Sequence, residues 1–252
     1  MIDMHAHLAC LSEGYETLDG ETELNFRRKN GITTCFSTGT PGEWQAMESF
    51  RSQREIIVSF GIHPWYTHRY QVEECREYLE LCSFVGEIGM DSVWCEIPLK
   101  LQQRRLEEQL QIAADLGKPV LLHTKGQEEI IADIIKGFPG SICVHWYSGP
   151  EKVFEKFLKQ DCYFTLGPDT SMVWGENRGL IGTMVREIPA DRLFLETDGL
   201  PAVAWAKGVE HAKLQEIPEV LKRSLEYTAV AKGWKKEALA CQIEENLQRW
   251  LV

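Results

Sequence analysis

Eight short apolar segments recur along the chain, and each is followed by a longer stretch of helical periodicity. Short runs of β-branched and aromatic residues indicate buried strands, whereas the longer stretches place their apolar residues on one helical face. Strands that alternate with helices predict a parallel sheet, and eight such units close into a (β/α)8 barrel of about 250 residues. We therefore predict an α/β protein with a TIM-type (β/α)8 barrel, helices outside the parallel strands and extra helices at the carboxyl end.

The sequence disfavours an alternative fold and a division into domains. An open doubly wound sheet is the competing fold, but it would require a glycine-rich GxGxxG turn after the first strand, and the chain has none. No linker-like segment divides the chain, so we predict a single domain over residues 1–252.

The periodicity also predicts where the elements lie. Strands are predicted at residues 1–8, 33–39, 56–64, 83–91, 119–125, 141–149, 162–168 and 192–199. Helices are predicted at residues 23–31, 44–51, 72–81, 99–116, 130–135, from 151 and at 180–187, and two more after Pro218 with a break near Gly233.

The charge balance limits the partners of the protein. Asp and Glu outnumber Lys and Arg by 38 to 27, which gives a formal net charge of −11. Proteins that wrap duplex nucleic acid usually carry a basic surface, so an extensive duplex footprint is not expected. Bound divalent metals would make a site locally positive, and a small anionic substrate or a single-stranded DNA end is therefore compatible with this charge.

The expected location follows from what the sequence lacks. No apolar run approaches the ~20 residues that span a bilayer, and no signal peptide is visible at the amino terminus. The eight cysteines include no CxxC pair, and several of them lie in apolar runs. We therefore expect free thiols, no membrane association and a cytoplasmic location, while the oligomeric state stays open.

The first predicted strand, MIDMHAHL, carries two histidines on one face. Strand side chains alternate between faces, so Asp3, His5 and His7 point the same way. Two imidazoles at this spacing can bind one metal ion, although many histidines in proteins bind no metal. Asp3, two residues before His5, and Glu196, two residues before Asp198, would either orient metal ligands or form buried ion pairs.

Metal-competent residues also stand near the carboxyl ends of later strands. In a barrel these ends meet at one face, where barrel enzymes keep their active sites. Histidines with a purely structural role would have no reason to choose the same end of so many strands. The residues in these positions are His5, His7, His63, Glu87, His123, His145 and Asp198.

This set predicts a centre with two divalent ions of open identity, because His/carboxylate sites accept Mg, Mn, Zn, Fe or Ni. Bridged ions lie roughly 3.5–4 Å apart, and they lower the pKa of bound water to about 7, so that hydroxide forms near neutral pH. The predicted catalytic residues are Glu87, which bridges the ions, and Asp198, which accepts the proton of the water. The ligands are His5, His7, Glu87 and Asp198 for one ion, and Glu87, His123 and His145 for the other.

Six motifs, in the same order along the chain, resemble those of the TatD-related metal-dependent deoxyribonucleases, a family within the metal-dependent hydrolase barrels. Gln102, Gln109 and Asn246 agree with the same family. The resemblance implies a TIM barrel, metal ligation by the six residues assigned above, and His63 and Ser148 facing a substrate phosphate. The motifs are IDMHAHL (2–8), GIHP (61–64), VGEIGMD (85–91), PVLLHTK (119–125), VHWYSG (144–149) and LETDG (195–199).

The chain departs from the family pattern on the substrate side. The family often has Arg where Lys125 stands and Phe where Tyr147 stands, and it reads DAPY where this chain reads DGLP (198–201). Lys125 still offers a phosphate a point charge, without the bidentate fork of Arg. Glu87 stands in the fourth strand, where related amidohydrolases often use a carboxylated lysine, and this favours phosphodiester over amide or lactone hydrolysis.

Three tryptophans closely follow predicted site residues, and a fourth, Trp94, follows Asp91 at the end of the VGEIGMD motif. An indole at the mouth of the site could stack on a nucleobase, or it could pack loops over the barrel. We place Trp65 with His63, Lys125 and Ser148 among the candidate substrate contacts. The four tryptophans are Trp65, Trp94, Trp146 and Trp205.

The sequence thus predicts a TatD-type hydrolase of phosphodiester bonds with DNase or exonuclease activity. Two alternatives stay open. The first is a metal-dependent hydrolase of a small ester, lactone or amide, which the altered substrate-side residues allow. The second is a metal-containing binding protein without turnover, against which the complete ligand set argues.

Overall fold

Eight strands form one sheet in which they follow each other in chain order. The computed structural model describes residues 1–172 and 179–252. Paired strands run parallel, and beyond the last strand the N–H of Asp198 donates to the carbonyl of His5 at 3.0 Å. This is the strand order of a (β/α)8 barrel, so the predicted fold class is confirmed. The strands are β1 (Ile2–Ala6), β2 (Thr33–Thr38), β3 (Ile56–Phe60), β4 (Val85–Asp91), β5 (Val120–Lys125), β6 (Ile142–Val144), β7 (Tyr163–Leu166) and β8 (Leu193–Leu195).

Helices connect the strands, and further helices follow β8, as predicted. The predicted break near Gly233 is confirmed, since its φ of +68° lies in the left-handed region that favours glycine at a helix end. Within the described residues the helices are α1 (Gly20–Lys29), α2 (Pro41–Met47), α3 (Arg76–Leu81), α4 (Leu99–Asp115), α5 (Glu128–Ile134), α6 (Glu151–Lys159), α7 (Gly179–Glu187), α8 (Leu200–Lys207), α9 (Glu216–Lys232) and α10 (Lys236–Trp250).

Two helices start earlier than the apolar periodicity indicates, because a polar side chain caps each of them. The Asp19 carboxylate accepts a hydrogen bond from the N–H of Thr22 before α1, and the Thr40 hydroxyl accepts one from the N–H of Glu43 before α2. Helix α8, which begins at Leu200 within the DGLP segment, was not among the predicted helices. Capping chemistry, rather than apolar spacing, sets the starts of α1 and α2.

Several strands are shorter than predicted, and this changes the position of the candidate ligands. Ladder pairing stops before the last predicted residues of β1, β3, β6 and β8. Loop backbone directly after the strands can turn away from the ladder and aim side chains that a regular strand would alternate between faces. His7, His63, His145 and Asp198 therefore lie in the first residues of the loops that follow these strands.

The chain groups into two compact units. The single domain over residues 1–252 stays a prediction from the sequence. The first unit comprises Met1–Phe36, Ser52–Ile57 and Thr165–Gln248, and the second comprises Ser37–Arg51, Val58–Phe164 and Arg249–Val252.

A buried charge network lies in the first unit. The Arg27 guanidinium on α1 donates to Asp3 of β1 at 2.6 Å and to Glu23 at 2.9 Å, and all three residues are buried. Glu23 also accepts a hydrogen bond from the N–H of Ala9 at 2.9 Å. The sequence allowed two roles for Asp3, orientation of a metal ligand or a buried ion pair. The structure shows the ion pair. One guanidinium thus neutralises two carboxylates that could not otherwise be buried.

The second unit is held by aromatic packing and by two glutamines of α4. The rings of Trp44, Phe60 and Tyr78 pack with centroids 5.0 to 6.1 Å apart. Gln109 accepts from the N–H of Ile62 at 2.6 Å, and Gln102 accepts from the N–H of Asp91 at 2.8 Å and donates to its carbonyl at 3.0 Å. The two glutamines are buried and fix the main chain where β3 and β4 lead into their loops.

The structure agrees with the expectation of free thiols. All eight cysteines are free thiols. Among the residues that the structure describes, none of the helices is both long enough and apolar enough to cross a membrane.

Replacing Arg27 by alanine should destabilise the protein by about 3–5 kcal/mol, because it leaves two buried carboxylates without their cation. Urea unfolding followed by tryptophan fluorescence measures this. The matched control is Arg28→Ala, since Arg28 is exposed and bonds only Asn25 in the described contacts; it should change the free energy of unfolding by less than about 0.5 kcal/mol. Equal urea midpoints for the two variants would contradict the proposed importance of the network.

Candidate metal centre

Two histidines and an aspartate meet in the first unit, and we call His5, His7 and Asp198 the first cluster. Oδ1 of Asp198 lies 3.0 Å from Nε2 of His5 and 3.6 Å from Nε2 of His7. Their ligand atoms all lie within 4.8 Å of one another. His5 is buried, and the other two are half-buried. Residues of β1, of the loop directly after it and of the loop after β8 therefore converge on one point that solvent can reach.

The main chain beside Asp198 is fixed from both sides. Before it, the buried Asp3 accepts hydrogen bonds from the N–H and the hydroxyl of Thr197 at 2.8 and 2.7 Å. Asp198 itself has a φ of +54°, and Gly199 follows at +84°. A Cβ on Gly199 would lie 2.9 Å from the carbonyl oxygen of His7, so the close approach of the two loops requires glycine here.

A second cluster, consisting of Glu87, His123 and His145, lies in the second unit. Oε1 of Glu87 lies 2.7 Å from Nδ1 of His123 and 2.7 Å from Nε2 of His145. The two ring nitrogens are 3.3 Å apart. His63 adjoins this cluster, with Nε2 at 3.6 Å from Oε1 of Glu87 and its ring 4.6 Å from the His123 ring. All four side chains are buried or nearly so.

The donor atoms of both clusters fit a divalent ion. In each cluster a carboxylate oxygen lies within 3.6 Å of two imidazole nitrogens, and these are the ligands that borderline divalent metals prefer. Ligand bonds of about 2.0–2.1 Å place tetrahedral ligands roughly 3.3–3.4 Å apart. The 3.3 Å between the nitrogens of His123 and His145 agrees with this separation. Both clusters could therefore hold a metal ion, and His63 lies close enough to Glu87 and His123 to serve as a further ligand.

The structure adds Asp91, which the sequence analysis did not select as a site residue. Its Oδ2 accepts the indole N–H of Trp65 at 2.9 Å and lies 3.2 Å from Nε2 of His123. Its Oδ1 accepts the N–H groups of Val93 and Trp94 at 2.8 and 2.9 Å. Its position could have identified it from the sequence, because Asp91 is the last residue of the VGEIGMD motif and ends β4 beside the ligands.

Asp91 fixes which nitrogen of His123 faces the metal-competent centre. A carboxylate at Nε2 holds the proton on that nitrogen, so the lone pair of Nδ1 points toward Glu87 and His145. Burial raises the pKa of Asp91, but its four hydrogen bonds outweigh burial and hold that pKa well below the usual range. Burial by itself lowers the pKa of His123, but hydrogen bonds with Asp91 and Glu87 outweigh burial, so that the pKa is raised.

The candidate substrate contacts also lie in the second unit. Lys125, at the end of β5, donates to the Ser148 hydroxyl at 2.8 Å, and its ammonium lies 4.3 Å from the ring centroid of Trp94. Trp65 packs edge-on against His63 with ring centroids 5.0 Å apart. Lys125, Ser148 and Trp94 therefore form one group, and Trp65 and His63 form another.

The remaining candidates differ in exposure. Trp205 lies on α8 and is exposed, Trp146 follows His145 with a φ of +33°, and Glu196 is buried. The proposed bridge by Glu87 between two ions stays a prediction.

Replacing Asp91 by asparagine should weaken metal binding by about 10- to 100-fold, because an amide N–H would then face the N–H groups of His123 and Trp65. Competition with a metallochromic chelator measures the dissociation constant for Zn²⁺ or Mn²⁺. The matched control is Asp115→Asn on the exposed face of α4, where the carboxylate contacts only Gln111 in the described bonds. Equal metal affinity in all three proteins would show that Asp91 does not orient His123.

The chain is similar to known metal-dependent hydrolases. The family model described as "TatD related DNase" matches residues 2–251. The metal-dependent hydrolase YcfH of Escherichia coli K12 is 27% identical, over 99% of this chain and 94% of its own. A protein of Pantoea ananatis named 3'-5' ssDNA/RNA exonuclease TatD is 25% identical, over 92% of both chains.

A solved structure shows the same fold. The TatD homologue YJJV of Escherichia coli K12 superposes with a TM-score of 0.80 at 19% identity, over 97% of this chain and 95% of its own. Since the family model spans nearly the whole chain, this protein belongs to the TatD-related family of metal-dependent hydrolases.

Proposed function

We propose that the protein is a metal-dependent phosphodiesterase that removes nucleotides from single-stranded DNA ends. The observation that carries this is the pair of His/carboxylate clusters at the carboxyl ends of the strands in a TatD-family chain. The Pantoea relative, whose name describes an exonuclease on single-stranded DNA and RNA, supports the substrate class. The net charge of −11 opposes an extensive duplex footprint, which favours strand ends or small anionic phosphodiesters.

In this proposal each cluster holds one divalent ion, with Mg, Mn, Zn, Fe or Ni as candidates. His5, His7 and Asp198 would hold one ion, and the second cluster would hold the other. A carboxylate has two oxygens, so Glu87 can serve as the ligand that both ions share. Bound divalent ions would lower the pKa of water and stabilise the charge that develops on a phosphoryl group.

The chain's own residues supply proton transfer and orientation. Asp198 would accept the proton of the attacking water, because its carboxylate is half-buried and open to solvent in the first cluster. Lys125 and Ser148 would bind a phosphate oxygen with an ammonium and a hydroxyl that lie 2.8 Å apart. His63 would contact the same phosphate from beside the second cluster.

The cytoplasmic location stays a prediction from the sequence.

A small ester, lactone or amide is the alternative substrate class. Lys125 is the observation that favours it, since a single ammonium selects phosphate less strictly than the guanidinium fork of Arg. A panel of phosphodiester, carboxylester and lactone substrates separates the two classes. Turnover of the carboxylester or lactone alone would favour the alternative.

Metal removal should abolish phosphodiester cleavage, and metal addition should restore it. Protein stripped with EDTA is reconstituted with Mg²⁺, Mn²⁺, Zn²⁺, Fe²⁺ or Ni²⁺ in turn and given an end-labelled single-stranded oligonucleotide. We expect stepwise release of nucleotides with at least one ion, and slower release from the same strand in a blunt duplex. If none of the ions restores release, the nuclease proposal is wrong, while the family assignment stands.

Replacing Glu87 by glutamine should remove at least part of the bound metal and slow cleavage by roughly 100-fold or more, since metal ions contribute several kcal/mol to transition-state stabilisation. Elemental analysis gives the metal content, and nucleotide release gives the rate. Glu107→Gln on the exposed face of α4 is the matched control and should retain both. Full metal content at full rate in Glu87→Gln would exclude Glu87 as a ligand.

A further inference from the structure

One buried carboxylate anchors two tryptophans that reach the surface. Oδ2 of Asp91 binds the indole N–H of Trp65, while Oδ1 binds the main-chain N–H of Trp94. Asp91 is fully buried, whereas Trp65 is 44% exposed and Trp94 is 63% exposed. The same carboxylate contacts His123 of the second cluster. Both tryptophans are thus attached through one residue to a candidate metal ligand.

The loop that carries Trp94 is also tied to the loop after β5. The N–H of Ser92 donates to the carbonyl of Lys125 at 2.9 Å, and the Ser92 hydroxyl donates to the carbonyl of Gly126 at 3.2 Å. Gln127 donates to the same hydroxyl at 2.9 Å. Gly126 has a φ of +71°, and a Cβ there would collide with the Ser92 hydroxyl. The indole of Trp94 is therefore presented to solvent on a fixed loop.

The group beside this indole is cationic and polar. The Lys125 ammonium lies 4.3 Å from the ring centroid of Trp94, within the range of a cation–π contact, and it donates to Ser148 at 2.8 Å. An aromatic face, an ammonium and a hydroxyl lie together at the carboxyl ends of three neighbouring strands, β4, β5 and β6. A nucleotide presents a flat base and a phosphate anion, which match these three groups.

We propose that Trp94, Lys125 and Ser148 form a subsite for one unpaired nucleotide, in which the indole stacks on the base while the ammonium and the hydroxyl bind its phosphate. This inference rests on the proposed nuclease function. It makes Trp94 a residue that selects single-stranded substrates, because a base in a duplex has its faces covered by its neighbours. Asp91 acts as the positioning residue of the subsite.

The structure favours Trp94 over Trp65 as the stacking residue. The indole N–H of Trp65 is bonded to Asp91, and its ring packs edge-on against His63 at an interplanar angle of 86°. These contacts give Trp65 a role in fixing His63. Trp94 is bound through its main chain, which leaves its more exposed ring to meet a ligand.

Loop packing is the other possible role of Trp94, and the exposure of the ring argues against it. A tryptophan that packs a loop buries most of its apolar surface, since burial is what stabilises such contacts. The side chain instead keeps most of its area in water and lies next to an ammonium. A cation beside an exposed aromatic face is an arrangement suited to binding single-stranded nucleic acid.

The test is equilibrium binding of a short, fluorescein-labelled phosphorothioate oligothymidylate to the Mn²⁺-loaded full chain. A second series of probes carries one tetrahydrofuran abasic unit at each successive position from either end. Wild type should bind the intact probe more tightly than the abasic probe that lacks the base bound in the subsite. Trp94→Ala should weaken binding of the intact probe by about 5- to 150-fold. It should also bind the intact probe and that abasic probe with equal affinity.

Further variants separate stacking from effects on folding. Trp94→Phe keeps an aromatic face and should retain most of the base preference, whereas Trp94→Leu keeps bulk without that face and should behave like Trp94→Ala. Lys125→Met should weaken intact and abasic probes alike and should lower the salt dependence of binding. Trp234→Ala, at an exposed tryptophan between α9 and α10, is the matched control and should bind like wild type.

The outcomes also distinguish this inference from the proposed function. The subsite is wrong if Trp94→Ala weakens intact and abasic probes equally, if it changes neither, or if wild type binds no probe. Trp94-dependent binding without cleavage of the natural oligonucleotide would support the subsite and contradict the nuclease. Cleavage that does not depend on Trp94 would support the nuclease and contradict the subsite.

Discussion

A carboxylate can be buried only when its charge is met by donors, and two buried aspartates next to the candidate ligands obey this constraint in different ways. Asp3 is paired with Arg27 of α1 and, on its other side, binds the main chain and hydroxyl of Thr197, directly before Asp198. Asp91 has no such cation among the described contacts, and it accepts four hydrogen bonds from His123, Trp65, Val93 and Trp94 instead. Each aspartate satisfies its own charge and, in doing so, fixes a ligand-bearing segment.

The helices extend this control to the main chain. Gln102 and Gln109 of α4 are buried and bond the backbone at Asp91 and Ile62, so one helix sets the path of the chain next to both His63 and the second cluster. A glutamine side chain can donate and accept at once, so each of the two satisfies both an N–H and a carbonyl of the main chain. The segments that lead out of β3 and β4 are therefore held in place by side chains of α4.

The sequence was sufficient for what depends on periodicity and composition. Alternation of apolar segments predicted the strand order, and the strand-end positions selected the histidines and carboxylates that the structure brings into two clusters. Asp91 was missed because it appeared as the end of a strand motif, and its bonds with Trp65 and His123 come from residues that are close only in the fold. The helix starts at Asp19 and Thr40 and the early strand ends were missed for a different reason, since caps and loop paths depend on hydrogen bonds rather than on hydrophobic spacing.

The position of Lys125 explains how the substrate side can differ from the common family pattern without disturbing the ligands. Its ammonium contacts Trp94 and Ser148, while the metal-competent atoms are those of Glu87, His123 and His145. An ammonium can donate in several directions, so Lys125 can keep its contact with the Trp94 ring while it donates to the Ser148 hydroxyl or to a phosphate oxygen. Lysine therefore suits the proposed subsite, in which base and phosphate are bound side by side.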